Sequence, residues 1–319
     1  MTPAIRIGTR GSALARWQSH FVAARLAEVA PDTRVEIVEI SSKGDQITDQ
    51  PLWQVEGTGF FTAEIERALV DGEVDVAVHS YKDLPVETTT GLVVAAVPPR
   101  APVEDVLCAR DGFTLQSLPA GARVGTCSAR RTAQVRALRP DLALLPLRGN
   151  VPTRLERVSS GDLDAIVLAR AGLVRLGLDR HITDIFPFER VLPAPAQGAL
   201  AIQCRVEDGW IRERLAALDD AQTRQAVDAE RTLLHALGGG CSVPVGAVAE
   251  RHEKGFVLRA GVFGVEPARA IRIQMHGTDP VALGIAAARE LLRLGAGEIL
   301  EAFDKTARID VPLTTGGMR

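Results

Sequence analysis

Val74-Asp75-Val76-Ala77-Val78-His79-Ser80-Tyr81-Lys82-Asp83-Leu84-Pro85 is a strand-like apolar run that breaks into a charged turn. Val74 to Val78 read as a buried strand, with His79 to Pro85 as the loop it delivers. Working back toward the N-terminus, Ile5-Arg6-Ile7-Gly8 reads as another strand. Leu14, Trp17, Phe21 and Ala24 recur at spacings of three and four, as in a helix capped by Ser12 and stopped by Pro31. Val35 to Ile40 alternate as a strand does, and a helix over roughly 60–69 leads back to Val74. This β-α-β-α-β order predicts a mostly parallel, doubly wound sheet. Ligands of such sheets bind outside the carboxyl ends of the strands, so Lys82 and Asp83 arrive where a substrate would sit.

Working outward, Pro98-Pro99-Arg100-Ala101-Pro102 interrupts the pattern and a second α/β series follows. Its strands are Val106 to Cys108, Arg123 to Gly125, Leu142 to Leu147 and Ala165 to Leu168. Pro193-Ala194-Pro195-Ala196-Gln197 is a second rigid break, after which Leu200 to Gln203 reads as a strand returning to the first domain. From about residue 218 a helix to Leu237 precedes strands at Val243–Gly246, Phe256–Val262 and Ala270–Met275, then one helical region over Pro280–Phe303. The expected fold is α/β: two hinged doubly wound domains, 1–98 plus 198–217 and 99–197, a small α+β domain at 218–303, and a loose tail at 304–319.

Composition sets limits on function. A net charge of -3 over 319 residues argues against a bulk polyanion binder, and no helix-turn-helix or basic arm for nucleic acid is apparent. No apolar run reaches membrane-spanning length, and Met1 to Ile7 lacks the basic and apolar regions of a signal peptide. Cys108, Cys127, Cys204 and Cys241 are scattered without a CxxC pair, which argues against a zinc site and a disulfide framework and fits a reducing cytoplasm. No metal constellation is apparent, and without a heptad or apolar face a monomer is expected. Between Arg123 and Arg175 there are ten Arg, no Lys and four acidic residues, although only four of the 37 basic residues in the whole chain are Lys. The placement of the arginines is therefore more telling than their number.

Three turns place arginines where a strand gives way to a helix: Gly8-Thr9-Arg10-Gly11-Ser12, Gly125-Thr126-Cys127-Ser128-Ala129-Arg130-Arg131 and Leu147-Arg148-Gly149-Asn150-Val151-Pro152-Thr153-Arg154. Free backbone N–H groups, hydroxyls and guanidiniums in such turns suit an anion. A carboxylate at Asp83 can protonate a leaving amine or stabilise a developing cation. His79, a lone histidine after a buried strand, is not read as catalytic. Gly238-Gly239-Gly240-Cys241-Ser242-Val243-Pro244 admits two readings: a thiol presented for attachment of something bulky, or a glycine-rich helix C-cap with an incidental cysteine. The residues alone thus allow an enzyme with a tethered group, a hinge-closing polycarboxylate-binding protein without catalysis, or a ligand-sensing module.

Six motifs in order, at 8–18, 79–85, 125–131, 147–154, 195–200 and 239–244, resemble the porphobilinogen deaminase (hydroxymethylbilane synthase) family over residues 5 to about 303. The resemblance implies two domains like those of periplasmic binding proteins and a third carrying the cofactor cysteine. It implies a transferase of tetrapyrrole and heme biosynthesis, with a dipyrromethane cofactor held by Cys241 through a thioether. Four porphobilinogen molecules are joined head to tail, each losing ammonia to become an azafulvene. Water then releases hydroxymethylbilane. Asp83 matches the catalytic carboxylate. Lys82, Thr126, Ser128, Arg130 and Arg131 match cofactor-holding positions, and Arg10, Ser12, Gln18, Phe61, Arg148, Arg154 and Arg175 match substrate-holding ones. Two departures stand out: Gly57-Thr58-Gly59 replaces a common Gly-Lys-Gly, and Tyr81 occupies a commonly aliphatic position beside Asp83.

Overall fold

A computed structural model describes residues 4–41, 62–240, 243–264 and 269–309. The first sheet is built from β1 (Ile5–Thr9), β2 (Val35–Glu39), β3 (Val76–Ser80), β4 (Leu92–Ala96) and, from far along the chain, β10 (Leu200–Arg205). The second is built from β5 (Asp105–Ala109), β6 (Arg123–Gly125), β7 (Ala143–Leu145), β8 (Ala165–Ala169) and β9 (Asp184–Ile185). Their strand orders are β2-β1-β3-β10-β4 and β7-β6-β8-β5-β9. The two orders share one plan. Three parallel strands with the first in the middle are followed by one antiparallel strand and a final edge strand. In each sheet the antiparallel strand adjoins a proline-rich crossing, β5 after 98–102 and β10 after 193–197.

The apolar runs follow from burial on both faces. In the first sheet Ile5, Ile7, Val76 and Val78 pack under helix α1 (Ala13–Val29), while Val74 and Ala77 pack under α2 (Ala63–Val70). In the second, Leu107, Ala165 and Val167 face α3 (Ala129–Leu138). The alternate residues Val106, Cys108, Ile166 and Leu168 face α4 (Val151–Ser159) and α5 (Arg170–Arg175). Helix α6 (Gly209–Ala216) completes the cover of the first sheet through Ile211 and Leu215.

The C-terminal sheet is an antiparallel meander, β11 (Val245–His252), β12 (Gly255–Phe263) and β13 (Ala270–Gly277). Helices α7 (Ala221–Ala236) and α8 (Pro280–Arg293) cover one face through Leu233, Leu234, Leu283 and Leu291. Val248 and Phe263 on the other face pack with Ala133 of α3 and Leu192, so this sheet leans on the second one.

Several expectations shift. The strand expected to end at Val78 is displaced by two residues and ends at Ser80. The helical region expected as one element is two, α8 and α9 (Ala296–Ile309), separated at Gly295, whose φ of 97° breaks the first. Helix α9 continues past residue 304, where a tail was expected. β4 and the two-residue β9 were not read from the sequence at all.

A buried carboxylate joins the crossings. Glu230 of α7 is fully buried and accepts both Arg100 Nη1 and Nη2, at 2.7 and 2.8 Å. It also accepts the backbone N–H groups of Ala196 (2.6 Å) and Ala249 (2.8 Å). Arg100 Nε donates to Gln197 O at 2.8 Å, so one ion pair holds both crossings to the C-terminal layer. The geometry there is tight. Ala196 has φ 62°, and a Cβ at Gly198 (φ 85°) would lie 2.5 Å from Ala101 O, so only glycine fits. Glu230→Gln leaves Arg100 buried without its counter-charge, and a loss of about 3–5 kcal/mol is expected. Urea denaturation measures it; a loss below about 1 kcal/mol would show that the pair is not a fastening point.

Candidate active site

The carboxyl ends of β1 and β3 and the N-terminal ends of α1 and α2 enclose a cavity. Arg10, Ser12, Gln18, Thr62, His79, Ser80 and Asp83 line it. Ser12 is the N-cap of α1, its hydroxyl accepting the Ala15 N–H at 3.2 Å. Gln18 is buried and donates from Nε2 to Ser80 Oγ at 2.8 Å. Burial pushes the His79 imidazole down to about 4, so it is neutral at neutral pH. Its Nε2 lies 3.2 Å from Gln203 Oε1, and Gln203 Nε2 donates to Glu66 Oε1 at 2.8 Å. His79 is therefore a hydrogen-bonded interior residue, as its sequence context suggested.

Asp83 and Lys82 sit in a single 3-10 turn, Tyr81–Asp83, directly after β3. Lys82 Nζ donates to Gln197 Oε1 at 3.2 Å. Gln197, itself fully buried in the crossing, donates from Nε2 to Val103 O (2.8 Å) and Asp105 Oδ1 (2.9 Å). Burial pushes the Lys82 ammonium down to about 8, with neighbouring Asp83 acting in the opposite direction.

Asp105 was not read as a site residue, yet it organises the second sheet's side of the site. It is fully buried and accepts Arg130 Nη1 at 2.6 Å, Arg131 Nε at 3.0 Å and Arg131 Nη2 at 2.7 Å. Burial disfavours its charge, but the two guanidiniums outweigh burial and hold the carboxyl well below the usual range. Arg130 also donates to Leu192 O, and Arg131 Nη1 donates to Val167 O at 3.2 Å. Arg130 and Arg131 are thus interior residues with partners of their own. The sequence signal for this was an aspartate opening an otherwise apolar strand.

The remaining arginines lie nearer the surface. Ser128 caps α3, accepting the Arg131 N–H at 3.5 Å, and buried Thr126 accepts the Ser128 N–H at 3.3 Å. Asn150 caps α4 through Thr153 N at 2.9 Å, and Arg154 Nε donates to Gly149 O at 2.7 Å. Burial lowers the Arg154 pKa below its ordinary value. Arg131 and Arg148 lower it further, whereas Cys127 and Asp83 oppose them. The Asp83 turn of the first sheet and the arginine turns of the second therefore share one electrostatic field. Arg175, at the end of α5, donates to Gly198 O at 2.7 Å and lies 5.8 Å from the centre of the Trp17 ring. Burial pushes its guanidinium down to about 10.

Cys241, Phe61 and Thr58 lie outside the described residues. The glycines before Cys241 do serve as a helix terminus: Gly238 has φ 68°, and Gly239 N–H donates to Leu234 O at 3.1 Å. Among the described residues no group of three or more His, Cys, Asp or Glu could hold a metal, and no helix is long and apolar enough to cross a membrane.

Fold and site together define an α/β protein with two like-ordered sheets and a site that gathers guanidiniums around one carboxylate-bearing turn. Residues 5–213 match the family model "Porphobilinogen deaminase, dipyromethane cofactor binding domain", and residues 224–293 match "Porphobilinogen deaminase, C-terminal domain". The chain belongs to the porphobilinogen deaminase family. A porphobilinogen deaminase of Brevibacillus brevis is 46% identical, with 92% of this chain and 96% of the relative covered. That of Mycobacterium marinum is 50% identical, covering 93% and 96%. Among solved structures, the VFT2 domain of Bordetella pertussis BvgS aligns with 72% of this chain and 92% of its own at 15% identity and a TM-score of 0.43.

The motif at 125–131 implies that replacing Arg130 or Arg131 by Leu impairs cofactor assembly or chain elongation more than folding, and the ion pairs with Asp105 add a folding cost. Removing one of the two cations around buried Asp105 is expected to cost about 3–5 kcal/mol. Thermal unfolding of the variant measures this, and an unchanged midpoint would show that Arg131 is free to serve a ligand instead.

Proposed function

We propose that this family member joins porphobilinogen units head to tail, with loss of ammonia, at the site around Asp83, and that the residues of that site divide the work as follows. Asp83 is the observation on which the reading rests: a carboxyl group that lines the cavity beside Arg10 and Ser12 and acts on Arg154 of the second sheet's side. It moves a proton to the departing amine as the C–N bond of the substrate breaks, and its carboxylate then accepts the ring N–H of the resulting cationic pyrrole.

The donor set fits a dipyrromethane. Each ring of such a group carries an acetate and a propionate, and the crowding of Arg131 and Arg148 about partly desolvated Arg154 is relieved when carboxylates arrive. Cys241 is the attachment point, with Lys82, Thr126, Ser128, Arg130 and Arg131 on the cofactor side. When bound, the group supplies a covalently held pyrrole whose free α-position takes the first substrate unit. Arg10, Ser12, Gln18, Arg148, Arg154 and Arg175 hold incoming carboxylates, Phe61 is assigned to the substrate by its place in the motif order, and Arg130 and Arg131 contribute through their charge beside Asp105. We further propose three domains at 1–98 plus 198–217, 99–197 and 218–303, hinged at the two crossings, working as a cytoplasmic monomer without nucleic acid. The free thiols of Cys108, Cys127 and Cys204 fit a reducing compartment.

Intact mass of the purified protein beside Cys241→Ser tests attachment. A two-pyrrole excess present in the native protein and absent in the variant is expected, and a native protein that never gains the adduct with porphobilinogen overturns the assignment. Asp83→Asn is expected to retain the fold and lose turnover by about 10²–10⁴-fold; near-normal turnover removes Asp83 from its role. The Lys82 ammonium, with its pKa near 8, is charged below that pH and neutral above it. Activity should therefore fall through an alkaline limb near pH 8, and Lys82→Arg should move that limb upward. A limb unmoved in the pH–rate profile of the variant assigns it to another group.

A further inference from the structure

Tyr81 is a residue of the 79–85 motif that the mechanism leaves unused. In the structure it is buried against α7. Its ring and Leu84 pack with Val227 of α7 and with Ala196, Ala199 and Val97 of the crossings. The guanidinium of Arg231, also on α7, lies 4.4 Å from the centre of the Tyr81 ring. The same guanidinium donates to Tyr81 O (3.2 Å), Leu84 O (3.0 Å) and Pro85 O (2.6 Å). Val86, next in the chain, packs on the C-terminal core. The residues on either side of Lys82 and Asp83 are thus fastened to α7. Lys82 and Asp83 instead turn toward Gln197 and the cavity.

We propose that Arg231 and Tyr81 are positioning residues, fastening the turn that carries Asp83 to α7, the helix that ends at Ala236. The inference rests on the functional reading above. One side chain donates to three carbonyls in and just after the turn, and the aromatic face beneath it fixes where that guanidinium sits. Helix α7 then holds the backbone on both sides of Asp83, which the three-residue turn alone would not do. A displacement of the turn by about 1 Å would leave binding contacts from other elements in place but move the reacting carboxyl off its line.

The test uses the cofactor-loaded protein. Arg231→Met, Arg231→Lys, Tyr81→Leu and the Arg231→Met/Tyr81→Leu double variant are compared for adduct mass, KM and kcat. Arg231→Met should keep the two-pyrrole adduct and a KM within about twofold, while kcat falls about 10- to 100-fold. Arg231→Lys, which keeps the charge over the ring but not the three-way fork, should recover part of the loss. The double variant should lose less than the product of the single losses, since both remove one fastening. A loaded Arg231→Met with kcat within twofold of the native protein overturns the proposal. If that variant fails to fold or load, Tyr81→Leu decides: unchanged kcat overturns the proposal, and a selective kcat loss supports it. Native protein that carries no adduct and releases no hydroxymethylbilane would instead sink the functional reading itself.

Discussion

A carboxylate with no exposure to water is tolerable only when every lone pair is met, and Glu230 meets that condition with donors from three separated parts of the chain. Arg100 comes from the first crossing, the Ala196 N–H from the second and the Ala249 N–H from β11. None of these segments can leave without uncovering a buried charge. The strained φ of Ala196 and the close approach of Gly198 to Ala101 are held in place by the same bonds. The two chain crossings therefore form one joint.

The joint continues into the site. Arg100 holds Gln197 through its carbonyl, and the Gln197 side chain joins Lys82 on one sheet to Asp105 on the other. Asp105 in turn holds Arg130 and Arg131 inside the second sheet. Gathering guanidiniums in a partly desolvated place is unfavourable, and Arg154 registers this in its lowered pKa. The fold bears that cost with one internal anion beneath the cluster. Two of the outer arginines donate to backbone carbonyls, Arg154 to Gly149 O and Arg175 to Gly198 O. Carbonyls orient a guanidinium without neutralising it, so its charge remains available for a carboxylate.

Much of this was legible in the sequence, for identifiable reasons. Strands covered on both faces write apolar runs, so β3, β5 and β8 could be read, and the return of β10 to the first sheet followed from its place after a proline-rich break. Strand β4 was missed because Leu92-Val93-Val94-Ala95-Ala96 follows a polar turn and has no helix between it and β3 to complete a β-α-β pattern. The displaced end of β3 has a related cause: His79 and Ser80 look like loop residues, but they pair with β10, and their polar atoms find Gln203 and Gln18. Arginines and capping hydroxyls at strand ends announced the site. Gln197 and Glu230 did not, since each acts through partners far away in sequence that no local pattern encodes, and Asp105 showed only as an aspartate opening an apolar strand.

The same limit explains Tyr81. As a letter in a motif it was only a bulky neighbour of Asp83 at an unusual position. Its meaning depends on Val227 and Arg231, which lie some hundred and fifty residues later and reach it only because α7 crosses beneath the turn. A short turn of three residues has too few internal hydrogen bonds to hold a side chain still. Rigidity at Asp83 must then come from outside the turn, and the structure provides it from α7. A group borne on so short a turn keeps its place only if a neighbouring element grips the turn, and α7, through Arg231, is the element so placed.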